Sequence, residues 1–395
     1  MRLSTRLQNL NPPATILMTQ KARELKAEGK DVISLSIGEP DFDTPDFIKE
    51  AAKKAIDENY SHYTPVSGFP ELKEAIRHKF KRDNNLDYQL SQIVVSTGAK
   101  QAIFNSFQAI INKDDEVLVP APYWVTYTDI IQLCGGNPVI IETSHETNFK
   151  PTIEQLENAI TDKTKALIFS SPNNPSGIVY SSEELHEIAK LAQKYNLIIL
   201  SDEIYEHIIY TEKPKSIACF PEAYDRTVTI NGLSKAYAMT GWRIGYIGAP
   251  EWIAKACDTL QSQVTSGANS IAQRAAITAL NSDLSEIQYM IDAFKSRREL
   301  MVKWVNEIPE FETAEPHGAF YIFPNVSKVF GRTIRGKTIQ NADDLAMLLL
   351  EEVYVSTVSG SSFGDANCLR ISYAASEKML NEAMRRIKNL LSESV

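Results

Sequence analysis

Four side chains of different chemistry lie near one another in the middle of the chain. Asp202 and Tyr205 supply an acid and a phenol, and Lys235 and Arg243 supply an amine and a guanidinium. An amine can bond an aldehyde, a carboxylate can pair with a pyridine nitrogen, a phenol can face a ring hydroxyl, and a guanidinium can bind a phosphate. Together the four groups fit a phosphorylated pyridine aldehyde, although none of them alone is informative.

Lys235 follows a predicted strand in a turn that contains Gly and Ser. A lysine that reacts with an aldehyde needs a neutral amine, which requires partial desolvation or neighbouring positive charge. A lone lysine is more often a solvated surface residue. Arg243 favours the reactive role of Lys235 over a surface role. It follows Lys235 by eight positions (243 − 235), and a turn there would place its guanidinium for a bidentate phosphate contact. Ser234 would add a hydroxyl to the same phosphate.

Asp202 ends an apolar run that is typical of a buried strand. Ligands of open α/β sheets bind outside the carboxyl ends of the strands. A carboxylate that meets a pyridine nitrogen there keeps it protonated and makes the ring an electron sink. Tyr205, three residues later, could hydrogen-bond the ring oxygen. A carboxylate that caps the next turn and a core tyrosine are the alternatives.

Three further strand ends carry groups that could contact such a ligand. Gly98, Ala99 and Lys100 join a strand to a helix, and the free N–H groups of a helix start favour a phosphate. Trp124 could stack on a pyridine ring, or it could be a core residue. Asn174 could donate to the ring oxygen, although turn chemistry alone explains an asparagine there.

Arg370 interrupts an apolar strand pattern near the end of the chain. An unpaired buried charge is costly, so this arginine needs a partner. A substrate α-carboxylate would bind it bidentately. A structural salt bridge is the alternative.

The elements that must position these residues alternate between strands and helices from about residue 90 to 250. Near-continuous apolar strands with helices between them predict a mostly parallel sheet covered on both faces, an α/β domain. Helices are predicted over residues 100–111 and 182–195. The predicted strands are residues 93–97, 116–120, 138–142, 166–170, 197–201, 227–230 and 244–248.

The remainder of the chain has a different pattern. Long helices are predicted over residues 250–281 and 284–308, an exposed loop over 328–341, and a last helix over 376–391. Short strands after residue 318 indicate a smaller α+β unit. We expect residues 1–45 to pack with it, residues 46–295 to form the large cofactor-binding domain, and residues 296–395 the small C-terminal domain.

Composition excludes several classes of protein. The chain of 395 residues is 43% hydrophobic and 23% charged, which is typical of a soluble globular protein, and its net charge of −9 argues against nucleic acid or an anionic membrane as partner. The four cysteines are far apart and the six histidines show no ligand spacing, so neither disulfides nor a metal site is predicted. With neither a secretory signal nor a membrane span in the sequence, we expect a cytoplasmic protein.

These elements resemble the class I and II aminotransferases that depend on pyridoxal phosphate (PLP), of fold type I, over nearly the whole chain. The similarity is strongest to the bacterial aspartate aminotransferase subgroup, which also contains prephenate and some aromatic aminotransferases. Ser176 stands where the family element Asn-Pro-Thr-Gly has Thr. The other strings that carry the resemblance are Gly-Glu-Pro-Asp-Phe-Asp-Thr-Pro at 38–45, Tyr-Thr-Pro-Val-Ser-Gly-Phe-Pro-Glu-Leu at 63–72 and Gly-Ala-Phe-Tyr at 318–321.

The resemblance implies a role for each candidate residue. Lys235 would bond the cofactor and then move the substrate proton, and Tyr63 would reach the phosphate in a partner subunit, so a homodimer with shared active sites is implied. Arg370 and the Gly38 backbone would bind the substrate α-carboxylate. The other contacts implied are Asp202 with the ring nitrogen, Tyr205 and Asn174 with the ring oxygen, Trp124 on the ring, and Arg243 with the turn of Gly98, Ala99 and Lys100 on the phosphate.

The resemblance also implies a substrate class, an amino acid and a 2-oxo acid. Thr15 and Lys100 stand at the positions matched to the distal carboxylate of a dicarboxylate, which favours L-aspartate with 2-oxoglutarate. Asn11 stands where prephenate-using relatives have arginine. An aromatic or prephenate aminotransferase and a C–S lyase of the same fold stay open as alternatives. A PLP-binding regulator and a nucleotide-binding α/β protein are disfavoured, since no helix-turn-helix segment or glycine-rich nucleotide motif is found.

Overall fold

The computed structural model describes Ser4, Leu7 and residues 14–393, except for the side chains of residues 14 and 15. The predictions for Asn11 and for the side chain of Thr15 therefore lie outside the described residues. The helices are α1 Ala14–Ala27, α2 Asp46–Asp57, α3 Pro70–Asn84, α4 Ala99–Ile110, α5 Thr126–Leu133, α6 Ile153–Asn158, α7 Ser182–Lys194, α8 Pro221–Tyr224, α9 Glu251–Val264, α10 Ser270–Asn281, α11 Gln288–Asn306, α12 Ala342–Val353 and α13 Glu377–Ser392. The strands are β1 Ile33–Ser34, β2 Ile93–Ser96, β3 Glu116–Pro120, β4 Asn137–Ile141, β5 Thr164–Ser170, β6 Ile198–Asp202, β7 Thr227–Gly232, β8 Gly245–Gly248, β9 Tyr321–Ile322, β10 Thr333–Ile334, β11 Lys337–Thr338, β12 Val355–Ser356, β13 Val358–Ser359 and β14 Leu369–Ser372.

A seven-stranded sheet of order β2-β8-β7-β6-β5-β3-β4 forms the centre of the fold. Strand β8 runs antiparallel to β2 and β7, and the other neighbouring strands are parallel. All seven predicted strands are present in it, so the prediction of a mostly parallel α/β sheet is confirmed. The near-continuous burial of these strands follows from helices on both faces.

Alternate residues of β6 show how both faces are covered. Leu200 packs into a core with α4 and α9, whereas Ile199 packs into a second core with α7. Successive side chains of a strand point to opposite faces, so one apolar strand serves both cores. The sheet is therefore covered by an apolar core on each face.

One predicted helix, over residues 250–281, is wrong. The structure has two helices there, α9 and α10, separated by residues 265–269. Ser266 adopts a left-handed φ of 59°, and the Asn269 side chain accepts a hydrogen bond from Ala272 N (2.9 Å) that caps α10. A Cβ at Gly267 would meet the Thr64 hydroxyl, so the break lets the chain pass close to that residue. The apolar spacing alone did not indicate the break.

The smaller elements group around the C-terminal part of the chain. Strand β14 pairs with β9 and β13, and the short N-terminal β1 pairs in parallel with β12 rather than with the central sheet. The predicted exposed loop at 328–341 contains the β10–β11 hairpin, with Ile334 buried. The predicted domain boundary at 295 falls inside α11, and both domain boundaries stay predictions.

The described part of the chain contains no helix that is long and apolar enough to cross a membrane.

Candidate active site

The candidate residues converge because of strand direction and register. Strands β2, β3, β5, β6 and β7 are parallel, so the turns that follow them lie at one edge of the sheet. Strand β8 runs the other way, and Gly245 at its start pairs with both Ser96 and Gly232. Arg243, two residues before Gly245, is thereby brought to the same edge as Lys235.

A cavity of about 310 Å³ opens at this edge. Among its described lining residues are four cationic side chains and one carboxylate, that of Asp202. The predicted site residues that line it are Gly38, Ala99, Lys100, Trp124, Asn174, Asp202, Tyr205, Ser234, Lys235, Arg243 and Arg370. This excess of positive charge favours an anionic ligand.

Lys235 is partly exposed to the cavity, and Nζ donates a hydrogen bond to the Gly38 carbonyl oxygen (2.6 Å). Nζ also lies 5.7 Å from the ring centre of Tyr205. Burial lowers the pKa of Lys235 to about 8, with Arg370 and Arg243 acting in the same direction against two acidic side chains. A neutral, nucleophilic amine is therefore accessible near neutral pH.

Asp202 lies at the end of β6 and is buried. Its Oδ2 accepts a hydrogen bond from the Tyr127 hydroxyl (2.6 Å), and its Oδ1 accepts one from Ile204 N (3.2 Å). Burial raises the pKa of the Asp202 carboxyl, although both hydrogen bonds oppose this. A buried carboxylate of this kind is stabilised by a cationic N–H partner such as a pyridinium.

Tyr205 and Tyr321 meet at the floor of the cavity. Their hydroxyls are 2.8 Å apart, and burial raises the pKa of both phenols, so both stay protonated near neutral pH. A Cβ at Gly38 would come within 2.6 Å of the Tyr321 hydroxyl, so the glycine is needed for this approach. The pair offers hydroxyl groups to a ring oxygen.

Arg370 is 2% exposed, on β14, and its guanidinium lies 4.8 and 4.9 Å from the ring centres of Tyr321 and Phe363. Its two Nη atoms donate to the Asn174 Oδ1 (3.1 Å) and to the Ser36 carbonyl (2.6 Å). Nε is buried without a hydrogen-bond partner among the described residues, and no described carboxylate pairs with the guanidinium. The predicted alternative of a structural salt bridge is thus absent from the described chain.

The turn before α4 and Arg243 form a cradle of N–H donors. Gly98, with φ of 82°, precedes the helix, and a Cβ there would lie 2.5 Å from Arg243 Nη2. Gly245 similarly lets β8 pack against Ala99 N. Arg243 Nη1 donates to the Thr240 carbonyl (2.8 Å), which fixes the guanidinium beside the helix start. Helix N–H groups and a guanidinium suit a phosphate.

Lys100 and Trp124 lie on another wall of the cavity. Lys100 Nζ is 4.9 Å from the indole ring centre, which is a cation–π contact. Burial, and then Arg243, lower the pKa of the Lys100 amine. A ligand carboxylate would reverse that destabilisation.

Three predicted residues are not among the described lining residues: Gly98, which precedes Ala99 in the turn before α4, Tyr63 and Thr15. Tyr63 is 98% exposed and lies next to residues 265–270. The Thr15 side chain is outside the described residues, although Ile16, one position on, lines the cavity.

Some lining residues were not predicted as site residues. Tyr127 bonds Asp202 from α5, and Tyr321 bonds Tyr205 from β9. Trp124 precedes α5, and the Tyr127 N–H donates to its carbonyl oxygen (2.9 Å), so the short separation from Trp124 in the sequence is the signal that could have indicated Tyr127. Tyr321 belongs to a string already noticed for the resemblance, but nothing local connects it with Tyr205.

The fold and the cavity define an α/β protein with a lysine of lowered pKa and three further cations in a cavity at the carboxyl edge of its sheet. Comparison with known proteins gives the family. Residues 30–387 match the family model for aminotransferase class I and II, and the chain belongs to that family.

Individual relatives agree with this assignment. The chain is 48% identical over 390 residues, 98% of each chain, to a probable aspartate/prephenate aminotransferase of Rhizobium leguminosarum bv. phaseoli. Its fold is similar, with a TM-score of 0.97 and 41% identity over all of both chains, to the crystal structure of the Rhizobium meliloti aspartate aminotransferase. The Thermus thermophilus aspartate aminotransferase with maleate gives a TM-score of 0.93 at 39% identity, covering 99% of this chain and 100% of that one.

Proposed function

We propose that this chain is a PLP-dependent aminotransferase that transfers the amino group of L-aspartate to 2-oxoglutarate, giving oxaloacetate and L-glutamate. The observation that carries the proposal is the cavity itself. It holds a lysine with a pKa of about 8, a buried carboxylate and three further cations. One cofactor phosphate and two substrate carboxylates would satisfy those three cations.

The described residues fit the phosphate end of PLP. The N–H groups at the start of α4, the Arg243 guanidinium and the Ser234 hydroxyl form a donor set for a phosphate. Gly98 lets the guanidinium approach this turn, because a Cβ there would lie 2.5 Å from Arg243 Nη2. The Arg243 and Ser234 assignments rest on this donor chemistry.

Other lining residues fit the ring end of the cofactor. Asp202 would pair with the ring nitrogen, Tyr205 and Asn174 would bond the ring oxygen, and Trp124 would stack on the ring. Tyr127 donates to Asp202 Oδ2 and Ile204 N donates to Asp202 Oδ1. The Oδ1 atom could accept a second hydrogen bond, from the ring nitrogen. When bound, PLP supplies an electron sink for the charge left at the substrate Cα.

The residues that act on the substrate are Lys235, Arg370 and Gly38. Arg370 binds the α-carboxylate through its unpartnered Nε and remaining Nη hydrogens. Lys235 Nζ, which contacts the Gly38 carbonyl, is then beside the Cα–H, takes its proton and holds it until it is returned. Two such half-reactions, with an amino acid and then a 2-oxo acid, make a ping-pong cycle.

The preference for a dicarboxylate rests on Lys100 and on similarity. Lys100 is a cation in the cavity without a described ion-pair partner, and we assign the distal carboxylate to it together with Thr15. A structural neighbour is an aspartate aminotransferase solved with maleate, itself a dicarboxylate. A relative's name also includes prephenate, so prephenate transamination is the second candidate.

We propose further that the enzyme is a homodimer with shared active sites. Tyr63 is almost fully exposed in the single chain, and the apolar Ile56 on α2 is 57% exposed. Tyr63 would complete the phosphate site of the partner. Co-expressing Tyr63→Phe and Lys235→Ala subunits tests this, because only a shared site can be restored in the mixed dimer. A cytoplasmic location stays a prediction.

The first test is the visible absorption spectrum of the purified protein before and after L-aspartate. We expect a PLP band that converts to the pyridoxamine form with aspartate and does not convert in Lys235→Ala. If the band does not change with aspartate but changes with an aromatic amino acid or with cystathionine, that compound rather than aspartate would be the substrate. Rapid turnover of glutamate with prephenate would support the second candidate. Absence of any band after incubation with PLP would contradict the proposal.

A further inference from the structure

A second buried polar cluster lies behind the turn that carries Asp202 and Tyr205. We call it the Glu206 cluster, and it consists of Lys79, Asn84, Glu203, Glu206 and Asn231, all buried. Lys79 and Asn84 come from α3, the two glutamates from the turn after β6, and Asn231 from β7. None of the five lines the active-site cavity.

Glu206 is the centre of the cluster, and both of its oxygens accept two hydrogen bonds. Oε1 accepts from Lys79 Nζ and from Asn231 Nδ2 (2.5 Å). Oε2 accepts from Asn84 Nδ2 (2.7 Å) and from Lys213 Nζ (3.1 Å). The carboxylate is therefore held on both sides by donors from separate segments of the chain.

Glu206 carries its negative charge inside the protein. Burial by itself raises the pKa of this carboxyl, but Lys79, Lys213 and His207 more than reverse the effect, and the pKa lies well below its usual range. Replacing buried ion pairs by apolar groups is often neutral or stabilising in proteins. Stability alone therefore does not explain a charged group at this place.

The position of Glu206 connects the two turns that carry the reactive groups. It directly follows Tyr205, and its N–H donates to the Glu203 carbonyl (2.9 Å) within the same turn. Asn231 lies at the end of β7, four residues before Lys235, and its Oδ1 accepts from Gly232 N (2.7 Å). The Asn231–Glu206 bond thus joins the Tyr205 turn to the Lys235 turn.

This bond continues the sheet beyond its last backbone contact. The hydrogen bonds between β6 and β7 extend to Glu203 N and the Ile230 carbonyl (2.9 Å). Beyond that point the side chains of Glu206 and Asn231 join the two turns by a hydrogen bond (2.5 Å). Reacting groups must be held within about 0.5 Å of their productive positions, which such a bridge helps to achieve.

We propose that Glu206 and Asn231 are positioning residues that hold the Asp202–Tyr205 turn against the Lys235 turn. Lys79 balances the charge of Glu206 and anchors the bridge to α3. The inference rests on the proposed function, because it concerns the alignment of groups that would act on an amino acid. It assigns no contact with substrate or cofactor to the Glu206 cluster.

Removal of the bridge without an unpaired charge tests the proposal. Asn231→Ala leaves Glu206 with Lys79, Asn84 and Lys213, and Asn231→Ser is a milder variant for use if the alanine variant does not fold. We expect kcat of the purified holoenzyme to fall roughly 10- to 100-fold, as for a displacement of about 1 Å. KM for the amino acid should stay near the wild-type value, because Arg370 is on β14.

A second measurement does not depend on activity. In the cofactor-free protein, the rate at which an amine-reactive reagent labels Lys235 is followed against pH. The wild-type profile should have its midpoint near pH 8. In Asn231→Ala the loosened turn is more solvated, so the midpoint should move toward the ordinary lysine value of 10.5.

A matched control comes from a residue that bonds to the cluster from outside it. Ser216→Ala removes a buried hydrogen bond to Glu203 Oε1 (2.6 Å) and leaves the Asn231–Glu206 bond in place. It should leave kcat and the labelling midpoint near wild type, even if stability falls.

The proposal is overturned if Asn231→Ala or Asn231→Ser loses only thermal stability, like Ser216→Ala, with kcat and the labelling profile unchanged. Failure of the proposed function gives a different result. The wild-type protein would then show no transamination, whereas the labelling comparison would still decide whether the bridge positions Lys235.

Discussion

Two interior lysines of this protein, Lys79 and Lys235, have opposite surroundings. Lys79 is 1% exposed and contacts the Glu206 carboxylate and the Asn84 side chain. Lys235 is partly exposed to the cavity and donates to a backbone carbonyl, with no described carboxylate within ion-pair distance. Burial lowers the pKa of both amines, but only the Lys79 amine is held by a carboxylate.

Similar unpartnered groups surround Lys235 but not Lys79. Around Lys235, the Arg370 Nε has no described partner and Lys100 is without a described ion pair. Around Glu206, the hydrogen bonds are satisfied by neighbouring segments. A region whose polar groups are paired within the chain holds the fold, whereas a region with cations left over is built for a ligand.

The largest effect is expected from Lys235→Ala. Loss of the amine removes both the covalent contact to the cofactor and the proton carrier, so kcat/KM for aspartate should fall by about 10⁴-fold or more. Steady-state kinetics measures this, with the exposed Lys163→Ala as control. Retention of more than a tenth of the activity would mean that Lys235 is not the reactive lysine.

Lys79→Met should act mainly on stability. It leaves the Glu206 charge buried and less compensated, and breaking such a pair costs about 3–5 kcal/mol of the free energy of unfolding. Denaturant unfolding measures the loss, and the double variant Lys79→Met/Glu206→Gln should recover part of it. Equal losses in the single and double variants would contradict the account of the pair.

Arg370→Lys should weaken substrate binding. A lysine keeps the charge but loses the planar, bidentate donor set, worth about 1.5–3 kcal/mol for a hydrogen bond to a charged group, or roughly 10- to 150-fold in KM. The control is Arg386→Lys, whose arginine pairs with Glu382 far from the cavity. An unchanged KM for the amino acid would mean that Arg370 does not bind the substrate α-carboxylate.

The pH dependence of Lys235 separates it from surface lysines. The pKa of Lys235 is about 8 in the folded protein and 10.5 in the unfolded chain. The folded protein therefore forms the neutral amine as pH rises through 8, whereas the unfolded chain keeps its proton up to pH 10.5. Below pH 8 the rate of amine labelling in the cofactor-free protein should fall about tenfold per pH unit. Between pH 8 and 10.5 the unfolded state binds the extra proton, so this group's contribution to stability rises with pH. A labelling midpoint near 10.5 would be the contrary result.

The smallest effect is expected from Tyr127→Phe. It removes the 2.6 Å hydrogen bond to Asp202 but leaves the Ile204 N–H bond, so kcat should fall by about 2- to 10-fold, equivalent to roughly 0.5–1.5 kcal/mol. Tyr88→Phe, which loses a buried bond to Thr229, is the matched control. Equal kcat in the two variants would mean that Tyr127 does not support Asp202.

The sequence by itself predicted the sheet and the chemistry at its edge. Apolar runs identify strands locally, and in a parallel sheet the turn after each strand must lie at one edge, so Asn174, Asp202 and Lys235 could be grouped from their places after strands. Arg370 could be singled out because a charge within an apolar strand needs a partner. These are local patterns combined with one rule of topology.

Only the tertiary structure decided which partner each group has. The bond of Tyr321 to Tyr205 and that of Lys79 to Glu206 join residues more than a hundred positions apart, and no local pattern encodes such pairs. The break between α9 and α10 likewise depends on Gly267 packing against Thr64 from another segment. A side chain's type is local, but its burial and its partner are set by chain segments that folding brings together, and these determine whether a lysine reacts or stabilises.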